Sequence, residues 1–376
     1  MKEKKFLMLF VGIVGIFISM CAGFNYMIDY YGVFRGVNQE VIVSNQINDR
    51  FVKMEYLLRN QNFEKYDSYL WGSSRVQKTD TQLTGQRTYN MGASGGMPED
   101  CLRDLKQLKE NGAFIDTVYL GLDDFFYSTN YGELLSAIYR RPYDSELDKR
   151  CQYYADLLIK PGIIKTWGRE KMKPGPGAKT LLYQNGMYIV PQKTEKQIEE
   201  NPMEYVREKK FDKPSRFSSG GNSRFEECIE TVRAIKQFCD ENHIRFVPFF
   251  NPQHMTTYLN DDMELMNRFK KELVKISPFW DFSGVNYVTS NNYFWYETSH
   301  PRAFICDKIL DTVSGQNQIT WVPDFGVYVT EENVDRFCEN AVYNREAYDP
   351  NHEQWIPSAE ERAVMTKRMN GFPEAK

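Results

Sequence analysis

The chain's 376 residues exceed one minimal domain and suffice for one large α/β domain with insertions. Its 24 Tyr, 25 Phe and 6 Trp supply a sizeable core. The net charge of -4 is small and unclustered, and no Lys/Arg stripe with interleaved aromatics occurs, which argues against nucleic acid as a partner.

The first element is a run of 23 residues without a charge, Phe6 to Ile28. As a helix it spans roughly 34 Å at about 1.5 Å per residue, enough for a hydrocarbon core of about 30 Å. Lys2, Lys4 and Lys5 precede it and Asp29 follows, so the positive-inside rule puts the N-terminus in the cytoplasm and the rest outside. A cleaved signal peptide would have a shorter apolar core and a small-x-small site. Ile18-Ser19-Met20-Cys21 resembles a lipoprotein cleavage box but carries Met where a small residue is needed. The expectation is an uncleaved, single-pass signal anchor over residues 1–28 with an extracytoplasmic domain.

Residues 29–64 read as a polar, partly helical connector that carries the domain off the membrane, with Phe51, Met54, Leu57 and Leu58 at helical spacing. Ser68 to Trp71 is the first strand and runs into Gly72-Ser73-Ser74; Arg87 to Met91 is the second. Pro98 to Glu110 is a helix with acidic residues in its first turn, stopped by Asn111-Gly112. Thr117 to Leu122 is a fully apolar third strand. The rhythm is then lost over residues 127–219, an insertion holding a Lys173-Pro174-Gly175-Pro176-Gly177 loop and an Asn185-Gly186 hairpin turn between Leu182-Gln184 and Met187-Ile189. It resumes with a helix over Ser223 to Asn242, a strand over Arg245 to Phe250, a helix over Met263 to Ile276, a strand over Phe279 to Phe282, and a closing helix from His300 to Val313. Strands alternating with helices predict a doubly wound parallel sheet of about five strands over residues 65–315. Residues 316–376 read as a wrap and loose tail without a further βα unit.

A serine at the C-terminal end of a strand lies where open α/β sheets bind ligands. Ser74 is therefore a candidate nucleophile, and a hydroxyl needs a base within hydrogen-bond reach to become one. His300 supplies the base and Glu297, three residues earlier, the carboxylate that fixes its tautomer and steadies its charged form. The competing explanation is a turn at Gly72-Ser73-Ser74 and a helix cap at Thr298 or Ser299. A rival nucleophile is Ser94 in Gly92-Ala93-Ser94-Gly95-Gly96, which matches the G-x-S-x-G elbow, although only one strand precedes that loop's own strand. Among the other histidines, His243 reads as structural and His352 as solvated, while His254 follows a strand end at the level of the site, where a substrate contact is the less favoured reading. No paired-histidine or C-x-x-C spacing occurs, so neither metal nor cofactor is expected, and isolated Cys residues in helical patterns read as small core residues.

In their order, Gly72-Ser73-Ser74, Asn90-Met91-Gly92, Gly121-Leu122-Asp123-Asp124 and Glu297-Thr298-Ser299-His300 resemble blocks I, II, III and V of the SGNH/GDSL hydrolases. With its anchor, the layout is similar to the SGNH-like proteins that accompany membrane-bound O-acyltransferases in bacterial envelope polysaccharide acylation. The resemblance implies an SGNH/flavodoxin-like sheet and a triad of Ser74, His300 and Glu297. The backbone amides of Ser74 and Gly92 would form the oxyanion site, with Asn90 in the same loop. It also implies a polysaccharide substrate and a membrane-bound O-acyltransferase partner. The family's oxyanion-donating Asn is replaced by Asp123, which as a carboxylate only accepts and would repel an oxyanion. That departure points to slow turnover or acyl transfer, with a binding or assembly role as the alternative. Arg75 reads either as a contact for an anionic sugar or phosphate or as a surface ion-pair partner.

Overall fold

The computed structural model describes residues 2–34, 41–44, 46–172, 179–215, 224–322 and 325–367. The Pro-Gly loop expected at 173–177 lies outside these residues, as does Ser223. Helix α1 (Lys2–Ile28) is long and apolar enough to cross a membrane, with a mean hydropathy of 2.4 over a window of which none is buried within the protein.

Strand β1 (Val41–Ser44) and helix α2 (Asp49–Leu58) occupy the stretch expected to be a stalk. Instead α2 is buried from Asp49 to Leu57 and belongs to the main core, because Phe51, Val52, Met54 and Leu57 pack into it. Then come β2 (Ser68–Trp71), β3 (Thr88–Asn90), α3 (Pro98–Glu110) and β4 (Thr117–Leu122). Pro98 fits the first turn of α3, where its missing N–H has no helical partner, and Asp100 accepts the Met97 N–H at 2.9 Å.

The insertion contains α4 (Tyr131–Ser136), α5 (Leu147–Ile159), α6 (Pro161–Met172), β5 (Lys179–Leu182), β6 (Tyr188–Ile189), α7 (Gln192–Glu200) and α8 (Pro202–Tyr205). β5 and β6 form the expected hairpin, but through a longer loop than a two-residue Asn185-Gly186 turn: the Leu182 N–H donates to the Met187 carbonyl at 2.8 Å, and within the loop Gly186 takes φ +72°; β1 adds to β5 as a third antiparallel strand.

The chain continues through α9 (Phe225–Glu241), β7 (Arg245–Phe250), α10 (Met255–Tyr258), α11 (Met263–Val274), β8 (Phe279–Asp281), β9 (Trp295–Glu297), β10 (His300–Pro301) and α12 (Ala303–Ser314). His300 thus lies in a strand ahead of the closing helix, not in it. Residues after 316 do contribute a strand, β11 (Val327–Val329), and two helices, α13 (Val334–Ala347) and α14 (Ala359–Lys367). His352 is not simply solvated: it meets the Ser290 carbonyl at 2.9 Å.

The main sheet has six strands in the order β11-β8-β7-β4-β2-β3, parallel except for β11 at one edge. Side chains alternate along the strands. Tyr69, Trp71, Val118 and Leu120 enter the core beneath α3, α9 and α11, while Leu70, Tyr119 and Phe249 enter the core beneath α12. Burial on both faces explains the near-continuous apolar strands.

Arg302, fully buried just before α12, clamps the insertion to the sheet by pairing with Glu195 and, at 2.9 Å, with Glu199 of α7. Removing it strands carboxylates in a low-dielectric interior. Arg302→Leu is expected to lower the unfolding free energy by about 3–5 kcal/mol, read from denaturant titration.

Candidate active site

Gly72, at φ +153°, makes the turn that ends β2, a conformation L side chains rarely adopt. The glycine-bearing loop after β3 closes on it: Ala93 N–H donates to the Gly72 carbonyl at 3.0 Å, and a Cβ on Gly96 would lie 2.2 Å from that oxygen. This close approach is why two glycine-bearing turns meet beside Ser74.

The hairpin formed by β9 and β10 pairs Glu297 with His300 across Thr298-Ser299. It is held from outside the site. Thr298 donates to the Lys213 carbonyl at 2.7 Å, and its own carbonyl accepts from Thr257 at 2.7 Å. Thr298 and Ser299 are accordingly hairpin residues and not a helix cap.

Ser74 Oγ lies 2.7 Å from His300 Nε2, and His300 Nδ1 hydrogen-bonds Glu297 Oε1. Glu297 Oε2 accepts the Ser299 N–H at 2.8 Å. With the proton on Nδ1 facing Glu297, Nε2 is left to accept from Ser74. The three residues singled out in the sequence therefore form one continuous hydrogen-bonded chain. Burial holds the His300 pKa below the ordinary 6.5, the charge of Lys78 lowers it further, and Glu297 opposes both. For Glu297 burial pushes upward, but the His300 hydrogen bond and charge outweigh it and keep the carboxyl below its ordinary range.

Arg75 is not a surface cation. Its side chain is buried, with Nη1 2.8 Å from Asp123 and 2.5 Å from Asp124, while Nε donates to the Ser299 carbonyl at 3.0 Å. Asp123 is fully buried and also accepts from Asn251 at 3.1 Å. Burial raises the Asp123 pKa and Arg75 opposes the rise. Its carboxylate is thus directed at Arg75 and Asn251, and the one guanidinium that stands against the expected repulsion of an oxyanion is shared with Asp124.

Gly92 and Asn90 are also buried; Gly92 N–H donates to Asn90 Oδ1 at 2.9 Å, and Asn90 Nδ2 donates to the Val76 carbonyl at 2.8 Å. The Gly92 N–H expected at an oxyanion site is therefore committed within its own loop, and the Asn90 amide is likewise taken up by the backbone. Ser94 lies on the same cavity as Ser74, but its N–H donates to Asp49 at 2.8 Å and its carbonyl accepts from Arg50 at 2.9 Å. His300 is engaged with Ser74. His254 is buried, accepts the Thr256 N–H at 3.1 Å and has its pKa lowered to about 4 by burial, as befits a structural residue.

The triad opens into a cavity of about 930 Å³. Trp167 and Lys171 of α6, Tyr188 of β6, Lys179 of β5 and Lys78 wall it. Lys78 stands 5.3 Å over the Tyr296 ring. Sequence reasoning missed Lys78, Trp167 and Lys171, since nothing local marks a lysine that tertiary folding brings beside a histidine.

The chain matches no protein-family model, and a search of curated proteins finds no matching relative.

Three outcomes test this geometry. Reaction of Ser74 with an acylating or phosphonylating probe requires neutral His300, so its rate is lost as pH falls through a midpoint below 6.5. Lys78→Met removes a positive neighbour and moves that midpoint upward, read from the rate–pH profile. Asp123→Asn, which keeps an acceptor for Arg75, should leave the rate within about tenfold of wild type, whereas loss of an oxyanion-site donor costs about a hundredfold or more.

Proposed function

We propose that this chain is an SGNH-like serine acyltransferase or esterase, held at a bacterial membrane by its first helix and acting on a cell-surface polysaccharide. One observation carries the proposal: the unbroken chain from Ser74 Oγ through His300 to Glu297, opening on a large cavity. His300 Nε2 takes the Ser74 proton as Oγ attacks an ester or other acyl carbonyl. Glu297 stabilises the resulting imidazolium, which returns the proton to the leaving oxygen as the acyl-serine forms. A sugar hydroxyl or water, deprotonated by the same imidazole, then attacks the acyl carbonyl, and the imidazolium gives that proton to Ser74 Oγ as the acyl–serine bond breaks.

The cavity supports a glycan. It can hold more than a single small ligand, and its aromatic walls alternate with Lys78, Lys171 and Lys179, which suit a hydroxyl-rich chain bearing negative charge. A membrane-bound O-acyltransferase that supplies acyl groups is the partner such chemistry calls for. The alternative of a binding or assembly protein leans on Asp123 standing where the resembled family has an oxyanion donor; the Arg75 cation beside Asp123, shared with Asp124, favours the enzyme reading over it.

A fluorophosphonate applied to the full chain, followed by peptide mapping, tests the proposal. Labelling is expected at Ser74, absent in Ser74→Ala and slowed about 10²- to 10⁴-fold in His300→Ala. Labelling at Ser94, or none at all, would overturn it, and silence would favour the binding role.

A further inference from the structure

The end of α1 does not leave the domain as a free tether. The Asn25 side-chain amide is shared among the carbonyls of Leu157 at 3.1 Å, Leu158 at 2.8 Å and Lys160 at 3.1 Å, at the C-terminal end of α5. Phe24 packs edge-on against Trp167 of α6, with ring centroids 5.4 Å apart, and Tyr30 hydrogen-bonds Glu170 of the same helix. The α5–α6 turn is thus pinned to α1 inside the apolar run.

Length places that turn in depth. A hydrocarbon core of about 30 Å takes roughly 20 residues of helix, so a span beginning at Phe6 ends near Asn25. The turn faces Phe17, Met20 and Phe24, all within that span, across an apolar groove of about 500 Å³ that Ile159 and Ile164 line from the other side. Ile159 is 53% exposed and Ile164 37% exposed, although both sit beside a helix that is itself uncovered. Three further features fit a lipid setting. Asn25 satisfies the terminal carbonyls of α5, which lipid cannot do. Lys165, Arg169 and Lys171 are exposed along α6, where ammonium and guanidinium groups meet anionic headgroups. Trp167, next to them, has the amphipathic ring found at membrane interfaces.

We propose that the α5–α6 turn is embedded in the bilayer, with acyl chains filling the groove against α1 and α6 lying along the headgroups. This rests on α1 spanning the membrane and is independent of the chemistry at Ser74. Because Trp167 and Lys171 also line the cavity, one wall of that cavity then stands at the lipid surface. The class of substrate that reaches Ser74 most directly is membrane-borne: a lipid-linked acyl acceptor, or an acyl group handed over by a protein in the same bilayer.

The test uses the full chain in vesicles of phosphatidylcholine and phosphatidylglycerol, carrying Cys151→Ser and Cys21→Ala to remove accessible thiols. A nitroxide is attached at Ile164→Cys and, separately, at Ile159→Cys. A control site is Phe114, which is 68% exposed at the amino-terminal edge of the sheet, opposite Ser74. Collisional relaxation by oxygen is expected to exceed that by a water-soluble nickel chelate at positions 164 and 159, with the reverse at 114. Nickel access at 164 and 159 equal to that at 114 would overturn the proposal by placing the turn in water. Shielding from both reagents would overturn it in favour of a protein cover, whether a second copy or a partner. Because the readout is spectroscopic, failure here leaves Ser74 labelling unaffected, and failure of Ser74 labelling leaves this result standing.

Discussion

The site depends on the burial of Arg75. Its guanidinium reaches the carboxylates that follow β4 and the Ser299 carbonyl between Glu297 and His300, while its own backbone follows Ser74. One cation therefore fixes the Ser74 turn, the loop after β4 and the Glu297–His300 hairpin relative to each other. Ionised carboxylates cannot remain so deeply buried without such a partner, since desolvation costs several kcal/mol per ion. The planar fork of arginine, with donors pointing in several directions at once, suits a three-way junction that a lysine's single ammonium could not span in the same way. Cys306 of α12 adds a further contact, its thiol meeting the Arg75 carbonyl at 3.2 Å.

Much of the framework was legible in the sequence because its signals are local. Pro98 and Asn111-Gly112 bracket α3, the unbroken apolar run of Thr117 to Leu122 marks a strand buried on both faces, and Asn185-Gly186 dictates a hairpin. The hydrogen-bonded chain of Ser74, His300 and Glu297 was legible for a different reason. A serine at a strand end and a histidine three residues after a carboxylate are each weak, but few other histidines compete. What the sequence hid is decided by distance along the chain. Polarity made residues 49–58 read as a stalk, yet Arg50 and Lys53 are buried because partners 39 or more positions away await them. Asp123 read as an obstacle because a one-dimensional pattern cannot show the cation beneath it. β11 was missed because three residues, Val327–Val329, carry no period and take their strand identity from β8.

The insertion acts as a second layer of the same site. α7 is fastened by Arg302, β5 and β6 continue into the cavity wall, and α6 joins that wall to α1. Variation in such a segment changes what enters without disturbing the sheet that orients Ser74.

Helix α2 grips the loop opposite Ser74 with three side chains. Asp49 accepts the Ser94 N–H, Arg50 donates to the Ser94 and Gly95 carbonyls, and Lys53 donates to the Gly92 carbonyl. β1, a few residues earlier, is paired into the insertion's sheet. The boundary of an autonomously folding unit therefore does not fall where the domain begins by composition, near residue 65, but ahead of Val41. A fragment trimmed to the composition boundary would keep every member of the triad and lose the scaffold that shapes the loop facing it.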